Sequence, residues 1–271
     1  MITQAQTDTV KALLAGREHV VIFTHLSPDG DAMGSALGLK HWLQSCGYVD
    51  VRVVVPNPFP DFLSWLPGAQ EIIIYSNAKE EAERAAREAD LLFCLDFNEP
   101  KRIGDAAALF DLVSCPKVLI DHHLYPDEQM VDAILSYPNA PATCYLVLEL
   151  INNLQIQQPT NGSLSTDTAT CLYCGLMTDT GNFAFNSNNP VLYEMIAQLL
   201  RAGINKDQIF DAVFNQYSSH RMELMGYCLF RKMRIFPKYH TALVTLSMSE
   251  LRRFNYQKGD SEGFEIGRAH V

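Results

Sequence analysis

In His25-Leu-Ser-Pro-Asp29-Gly-Asp31 an imidazole and two carboxylates follow directly on an apolar run, and Pro28 and Gly30 supply a tight turn that can bring them together over its end. Carboxylates gathered within a few ångströms repel one another unless a cation compensates, so the chemistry such a cluster calls for is divalent-metal binding. Taken alone, the segment reads equally well as a helix start, with Asp31 as cap, Asp29 bracing the turn and His25 a polar strand end. Residues of the same kind recur, however. Asp96 closes the apolar run LLFCLD, Asp121-His122-His123 closes KVLID, and Asp179 lies in Gly175-Leu-Met-Thr-Asp179-Thr-Gly181, just after a predicted helix.

The elements that must position these groups are legible. HVVIFTH (19–25), VRVVV (51–55), EIIIY (71–75), LLFCLD (91–96) and KVLID (117–121) are apolar without clean alternation, as strands covered on both faces of a parallel sheet should be. Between them Ala32 to Cys46, Ala78 to Ala89 and Asp105 to Asp111 are long enough for crossover helices. The pattern predicts an α/β, doubly wound parallel sheet. Helices are predicted over Ala142 to Leu154, Ser165 to Met177 and Pro190 to Ala202 as a helical cap, and FPKYHTALVTLS returns to strand composition as the start of a second α/β domain. In an open parallel sheet ligands bind outside the carboxyl ends of the strands, where His25, Asp96 and Asp121 stand.

The chain has 271 residues, which at roughly 150 per domain suggests two domains. Its 21 Lys+Arg against 31 Asp+Glu give a net charge of −10, which argues against a surface that holds nucleic acid throughout by phosphate neutralisation. The charge is uneven. Residues 1–215 hold 12 Lys+Arg and 26 Asp+Glu, net −14, and residues 216–264 hold 8 and 4, net +4. An acidic lobe able to bind cations and a basic lobe able to receive an anion follow. Arg231, Lys232, Arg234, Arg252, Arg253 and Lys258 belong to the second, where some could face phosphates and any one reads as solvated surface charge.

No membrane-spanning apolar run and no leader-like N-terminus are present, so no membrane partner and a cytoplasmic location are expected. Seven cysteines at irregular spacing do not suggest a disulfide framework. Cys171 and Cys174 form a C-x-x-C with no second pair to complete a zinc site, and are read as helix packing. Gly34, Ser35 and Gly38 suit close packing of the first helix on the sheet, or substrate approach. His19, His41, His220 and His240 stand outside any cluster.

His25-x-x-x-Asp29-x-Asp31, Asp96, Asp121-His122-His123 and Gly175-Leu-x-Thr-Asp179-Thr-Gly181 resemble, in order, the four motifs of the DHH phosphoesterase superfamily, over roughly residues 15–264. The resemblance is strongest to the branch of bifunctional oligoribonucleases and 3'-phosphoadenosine 5'-phosphate phosphatases. It implies two divalent metal ions, most simply Mn²⁺ given mixed imidazole and carboxylate ligands. One ion would be held by His25, Asp29 and Asp96, the other by Asp31, Asp96, His122 and Asp179. Two metals roughly 3.5 to 4 Å apart activate water for in-line displacement at phosphorus, so a metal-activated hydroxide is the expected nucleophile.

On an extended segment adjacent side chains point apart, so His123 is expected to face the substrate phosphate or leaving oxygen, with Asp121 behind, orienting a histidine. Arg102 matches an arginine common in the branch, where it either touches substrate or pairs with an acid. The resemblance implies hydrolysis of short oligonucleotides, of 3'-phosphoadenosine 5'-phosphate or of linear dinucleotides. Inorganic pyrophosphatase or polyphosphatase activity is the alternative on the same core, and a non-catalytic nucleotide sensor is the alternative outside catalysis. The partner expected is a short oligonucleotide or nucleotide phosphate, with room for a homodimer.

The domain reading is a catalytic domain over 1–190, a helical linker over 191–216 and an incomplete DHHA1-type substrate-binding domain over 217–264. The branch's glycine-rich Gly-Gly-His motif is absent, and the chain stops soon after Lys258-Gly-Asp-Ser-Glu-Gly263. Residues 265–271, Glu-Ile-Gly-Arg-Ala-His-Val, can be encoded by a string resembling a sequencing adapter and are expected to be a non-native tail.

Overall fold

The computed structural model describes residues 1–157, 164–215, 218–257, 260–261 and 264. The expected tail, 265–271, lies outside them, as do Tyr217 and Lys258. Two compact units are present, one formed by Met1–Phe59 and Leu63–Ile209, the other by Pro60–Phe62 and Phe210–Val271.

The first unit is a six-stranded, wholly parallel sheet. Its strands are β1 (His19–Phe23), β2 (Asp50–Val55), β3 (Ile73–Ile74), β4 (Leu91–Leu95), β5 (Lys117–Asp121) and β6 (Ala133–Ser136), in the spatial order β3-β2-β1-β4-β5-β6. This is the doubly wound arrangement, and the order reverses between β1 and β4, where such sheets open a crevice at their carboxyl edge. The register brings the strand ends level there: Phe23 pairs with Cys94, and Leu95 with Ile120. His25, Asp96 and Asp121 therefore leave the sheet along one edge.

Why these runs form strands is visible in their burial. Every residue of β4 is buried, as is every residue of β1 after His19, so no polar side was needed. One face packs Val21, Phe23, Leu92, Cys94 and Leu119 against α3 (Lys79–Glu88), through Ala82, Ala85 and Ala86. The same cluster includes Ile103, Ala106 and Leu109 from the segment Pro100–Leu112. A crossover helix was expected over Asp105 to Asp111; this segment is instead 3₁₀ in character. Pro100 opens it and Gly104, at φ 56°, interrupts it, which prevents a continuous α-helical ladder.

The other layer is built from α1 (Gln4–Leu14), α2 (Gly30–Ser45), α4 (Thr143–Gln157) and α5 (Thr166–Asp179). Gly34 and Gly38 do not pack on the sheet, as expected, but on α5. A Cβ at Gly34 would lie 2.5 Å from the Cys171 carbonyl oxygen, and one at Gly38 2.6 Å from Leu172. From the other side, a Cβ at Gly175 would lie 2.2 Å from Cys144 Sγ and 3.1 Å from Asp31 Cα. The glycines let α2 and α5 approach backbone to backbone. Cys171 and Cys174 are buried in α5, and burial pushes the Cys174 thiol up to about 12. After α5 the chain continues through α6 (Pro190–Arg201) and α7 (Lys206–Phe214).

The second unit contains α8 (Ser219–Tyr227), a π turn at Cys228–Lys232, an antiparallel pair β7 (Arg234–Phe236) and β8 (Thr241–Leu243), and α9 (Met248–Arg253). Leu224, Cys228 and Phe254 form its small core. Several of its cations are engaged within it: Lys232 Nζ donates to Glu250 at 2.7 Å, and Arg253 lies over the rings of Tyr227 and Phe254. Among the described residues no helix is long and apolar enough to cross a membrane.

Candidate metal centre

The chain leaves β1 into a loop in which Ser27 takes a left-handed φ of 58°, its N–H donating to Asn57 Oδ1 at 2.6 Å. Asp29 is the N-cap of α2, its Oδ1 accepting from the N–H groups of Asp31 and Ala32. The cap is thus Asp29 rather than Asp31, and the helix starts at Gly30, two residues earlier than expected. Asp31 is consequently inside the first turn, fully buried, and free to point at the crevice. Asp179, expected just beyond a helix, is the last residue of α5. Asp96 follows β4 with φ 64°, a conformation rare for residues other than glycine, asparagine and aspartate, and commonest where a site dictates the backbone.

These residues converge. His25 Nε2 lies 3.4 Å from Asp96 Oδ2 and 3.8 Å from Asp29 Oδ1. His122 Nε2 lies 3.6 Å from Asp96 Oδ1, 3.7 Å from Asp179 Oδ2 and 3.8 Å from Asp31 Oδ2. In each of the groups His25, Asp29, Asp96 and Asp31, His122, Asp179, one donor atom per residue can be chosen with all within 4.8 Å of one another; Asp96, His122 and His123 form a third such group.

The ring nitrogens on the far side decide what this means. Nδ1 of His25 stands 2.9 Å from the Leu26 carbonyl oxygen, and Nδ1 of His122 stands 3.2 Å from that of Ala140. A carbonyl only accepts, so Nδ1 carries the proton in both rings, and a neutral ring aims the Nε2 lone pair at carboxylate oxygens. Lone pair against lone pair is tolerable only with a cation between them. The donor set, two imidazoles and four carboxylates, fits a pair of divalent metal ions.

Without metal the same strain falls on protons. Burial pushes His25 down, but the neighbouring carboxylates of Asp29 and Asp96 outweigh it and raise the imidazole to about 10. Burial, then Asp96, Asp179 and Asp29, hold Asp31 well above the usual carboxylate range. Burial and Asp96 lift Asp179 to about 6 against the pull of His122. Asp96 goes the other way, to about 2, because the histidines around it outweigh its burial.

Asp121, the last residue of β5, accepts from His123 twice: from Nδ1 at 2.7 Å and from the backbone N–H at 3.1 Å. This hydrogen bond raises the His123 pKa despite burial. The rings of His122 and His123 do not point to opposite sides as an extended segment would place them. They lie 5.1 Å apart, both near Asp96 Oδ1, because the chain has already left the strand. Nε2 of His123 stands 3.3 Å from the Arg102 guanidinium, and the Leu26 N–H, donating to the Arg102 carbonyl at 2.7 Å, ties the backbone of Arg102 to the loop after β1. All nine residues singled out from the sequence therefore gather at one edge of the first unit.

Three contributors went unnoticed in the sequence. Asn98 donates to the Leu124 carbonyl at 2.7 Å, tying the loop after β4 to the loop after β5; its signal was an amide two residues past Asp96. Thr143 and Cys144, at the start of α4, hydrogen-bond to Asp31 and Asp96. A hydroxyl at a helix start was the only hint.

A doubly wound sheet with paired imidazole and carboxylate clusters at its switch point defines a class of α/β proteins whose strand ends could hold metal. The model of the DHH family, N-terminal domain, matches residues 19–176, and the chain belongs to the DHH family. It is 43% identical to an exopolyphosphatase-related protein from Bacteroides fragilis, whose crystal structure matches with a TM-score of 0.90 over 97% of this chain and 76% of that one. Over 214 residues it is 31% identical to the bifunctional oligoribonuclease and PAP phosphatase NrnA of Thermus thermophilus, which is 78% of this chain and 58% of that protein. It is 27% identical over 249 residues to a probable NrnA of Streptococcus mutans, 91% of this chain and 72% of that one. Within the family it falls in the NrnA-like branch, and it spans little more than half the length of the Thermus relative.

Proposed function

We propose that the chain is a two-metal phosphohydrolase acting on short oligonucleotides, on 3'-phosphoadenosine 5'-phosphate or on linear dinucleotides. The observation that carries this reading is at His122, whose Nε2 faces three carboxylates within 3.8 Å while Nδ1 is committed to a carbonyl. His25, Asp29 and Asp96 would hold one ion, and Asp31, Asp96, His122 and Asp179 the other, with Asp96 shared. Four carboxylates balance two divalent cations before substrate arrives, and mixed nitrogen and oxygen donors favour Mn²⁺. When bound, such a pair supplies Lewis-acid activation of water and neutralises charge developing at phosphorus.

The chain's own groups do the rest. His123, whose charged form Asp121 favours, would turn Nε2 from Arg102 to a substrate phosphate oxygen, or give its proton to the leaving oxygen. Arg102 beside it offers a second, permanently charged donor to the same phosphate. No serine or cysteine nucleophile is invoked.

The nucleotide substrates are supported by the NrnA relatives. The likeness to the Bacteroides protein, described as exopolyphosphatase-related, favours polyphosphate or pyrophosphate as a second reading. Purified chain with Mn²⁺ should release mononucleotide from a dinucleotide faster than phosphate from pyrophosphate or polyphosphate. Turnover of the inorganic substrates alone would replace the first reading with the second.

A further inference from the structure

Asp31 and Asp96 come from different elements, α2 and the end of β4, and something must fix both carboxylates relative to each other. The first turn of α4 touches both. The Thr143 N–H donates to Asp31 Oδ2 at 2.6 Å and the Cys144 N–H to Asp31 Oδ1 at 2.9 Å, so both oxygens of one carboxylate are held by successive amides. The Thr143 hydroxyl donates to Asp96 Oδ1 at 2.9 Å. Thr143 has no exposed surface. We infer that Thr143 is a positioning residue of the metal centre, setting the orientation of Asp31 through its backbone and of Asp96 through its hydroxyl.

The physics favours these roles. Amides in the first turn of an α-helix have no intrahelical acceptor, and the helix N-terminus carries partial positive charge, so a carboxylate there is bonded and stabilised as an anion. Asp31 is so placed while burial and three neighbouring aspartates oppose its charge. An ionised carboxylate is acceptor-only, so the buried hydroxyl of Thr143 must direct its proton at Asp96 Oδ1. The β-branch restricts the side chain's rotation, which fixes that direction. The hydroxyl thereby occupies one acceptor site of Oδ1 and leaves the rest of the carboxylate facing His122 on one side and, through Oδ2, His25 on the other. That is the disposition a shared ligand needs. Groups that orient ligating carboxylates in this way typically alter metal affinity about 10–100-fold when removed.

The inference rests on the reading of the site as a metal centre, and the test separates the two. Metal-free protein is titrated with Mn²⁺, with free ion followed by electron paramagnetic resonance, for the wild type, Thr143→Val and Thr143→Ser. Valine keeps shape and the backbone N–H but loses the hydroxyl; serine keeps the hydroxyl. The expected result is that Thr143→Val binds Mn²⁺ about 10–100-fold more weakly while Thr143→Ser stays within a few-fold of wild type. Wild-type protein that binds no Mn²⁺ would remove the metal centre and the inference with it. Wild type that binds two ions, with Thr143→Val unchanged or Thr143→Ser as weak as Thr143→Val, would overturn the inference alone. Should Thr143→Val fail to fold, Thr143→Ala, which removes the hydroxyl and keeps the backbone N–H, takes its place, and wild-type affinity there would overturn the inference.

Discussion

His123 places Nδ1 2.7 Å from Oδ1 of Asp121, a carboxylate with no exposed surface, and points its other nitrogen toward Arg102. The pair couples ring orientation to ring charge. Asp121 raises the His123 pKa, so the stabilisation it gives is complete below the unfolded value of about 6.5 and is lost as pH rises through the higher folded value. A step that uses the charged ring is therefore extended toward higher pH by Asp121 and fails as pH rises past the raised value. Asp121→Asn should move the alkaline limb of kcat/KM to lower pH and reduce kcat about 10²-fold. An alkaline limb that stays in place would show that His123 does not act through its proton.

Asp96 is the residue whose loss should empty the centre, and its backbone determines which variant can show it. At φ 64° alanine is strained, whereas asparagine tolerates the left-handed region nearly as well as aspartate. Asp96→Asn should fold, retain little Mn²⁺ by elemental analysis, and lose about 10³-fold or more in kcat, since metal activation contributes several kcal/mol. Hydrolysis at wild-type rate by protein lacking metal would refute the mechanism.

Much of this was legible in the sequence because buried parallel strands leave a strong signature, and because β5 stops at Asp121 where the apolar run does. The sheet's sixth strand was not, since Ala133–Ser136 is a short edge strand with half-buried positions and only four residues. Nor was the cap. Asp29 and Asp31 are the same residue type two positions apart, and only the start of α2 at Gly30 decides that one binds helix amides while the other enters the crevice. Propensity could not reveal Thr143, because its partners lie 112 and 47 residues away. Long-range contacts of that kind depend on topology rather than on local pattern.

Protons and metal should compete for Asp179. Its folded pKa of about 6 stands above the unfolded value, so the metal-free protein carries an extra proton there between about pH 4 and 6. The associated stability is present below that window and disappears as pH rises through it. Mn²⁺ should therefore bind more weakly as pH falls below about 6, and should raise the melting temperature more at pH 7.5 than at pH 5. Asp179→Asn should flatten that difference. A melting-temperature gain independent of pH in the wild type would show that Asp179 is not where metal replaces a proton.

The approach of α5 to α2 and α4 should limit the centre's geometry through Gly175. A Cβ at this position would stand 2.2 Å from Cys144 Sγ, 3.0 Å from the Gly30 carbonyl oxygen and 3.1 Å from Asp31 Cα, so Gly175→Ala must push α5 away from the very turns that hold Asp31. Overpacking of this kind costs about 1–3 kcal/mol, a fall of a few degrees in melting temperature for a unit this size. Because the closest clash is with a side chain, Cys144→Ala should recover part of that loss, leaving the double variant more stable than the sum of the two single changes predicts. The backbone clashes remain, so recovery should be incomplete, and the residual shift should appear as weakened Mn²⁺ binding even where stability returns. Strict additivity of the two substitutions in thermal unfolding would mean that α5 reaches Asp31 by a different contact.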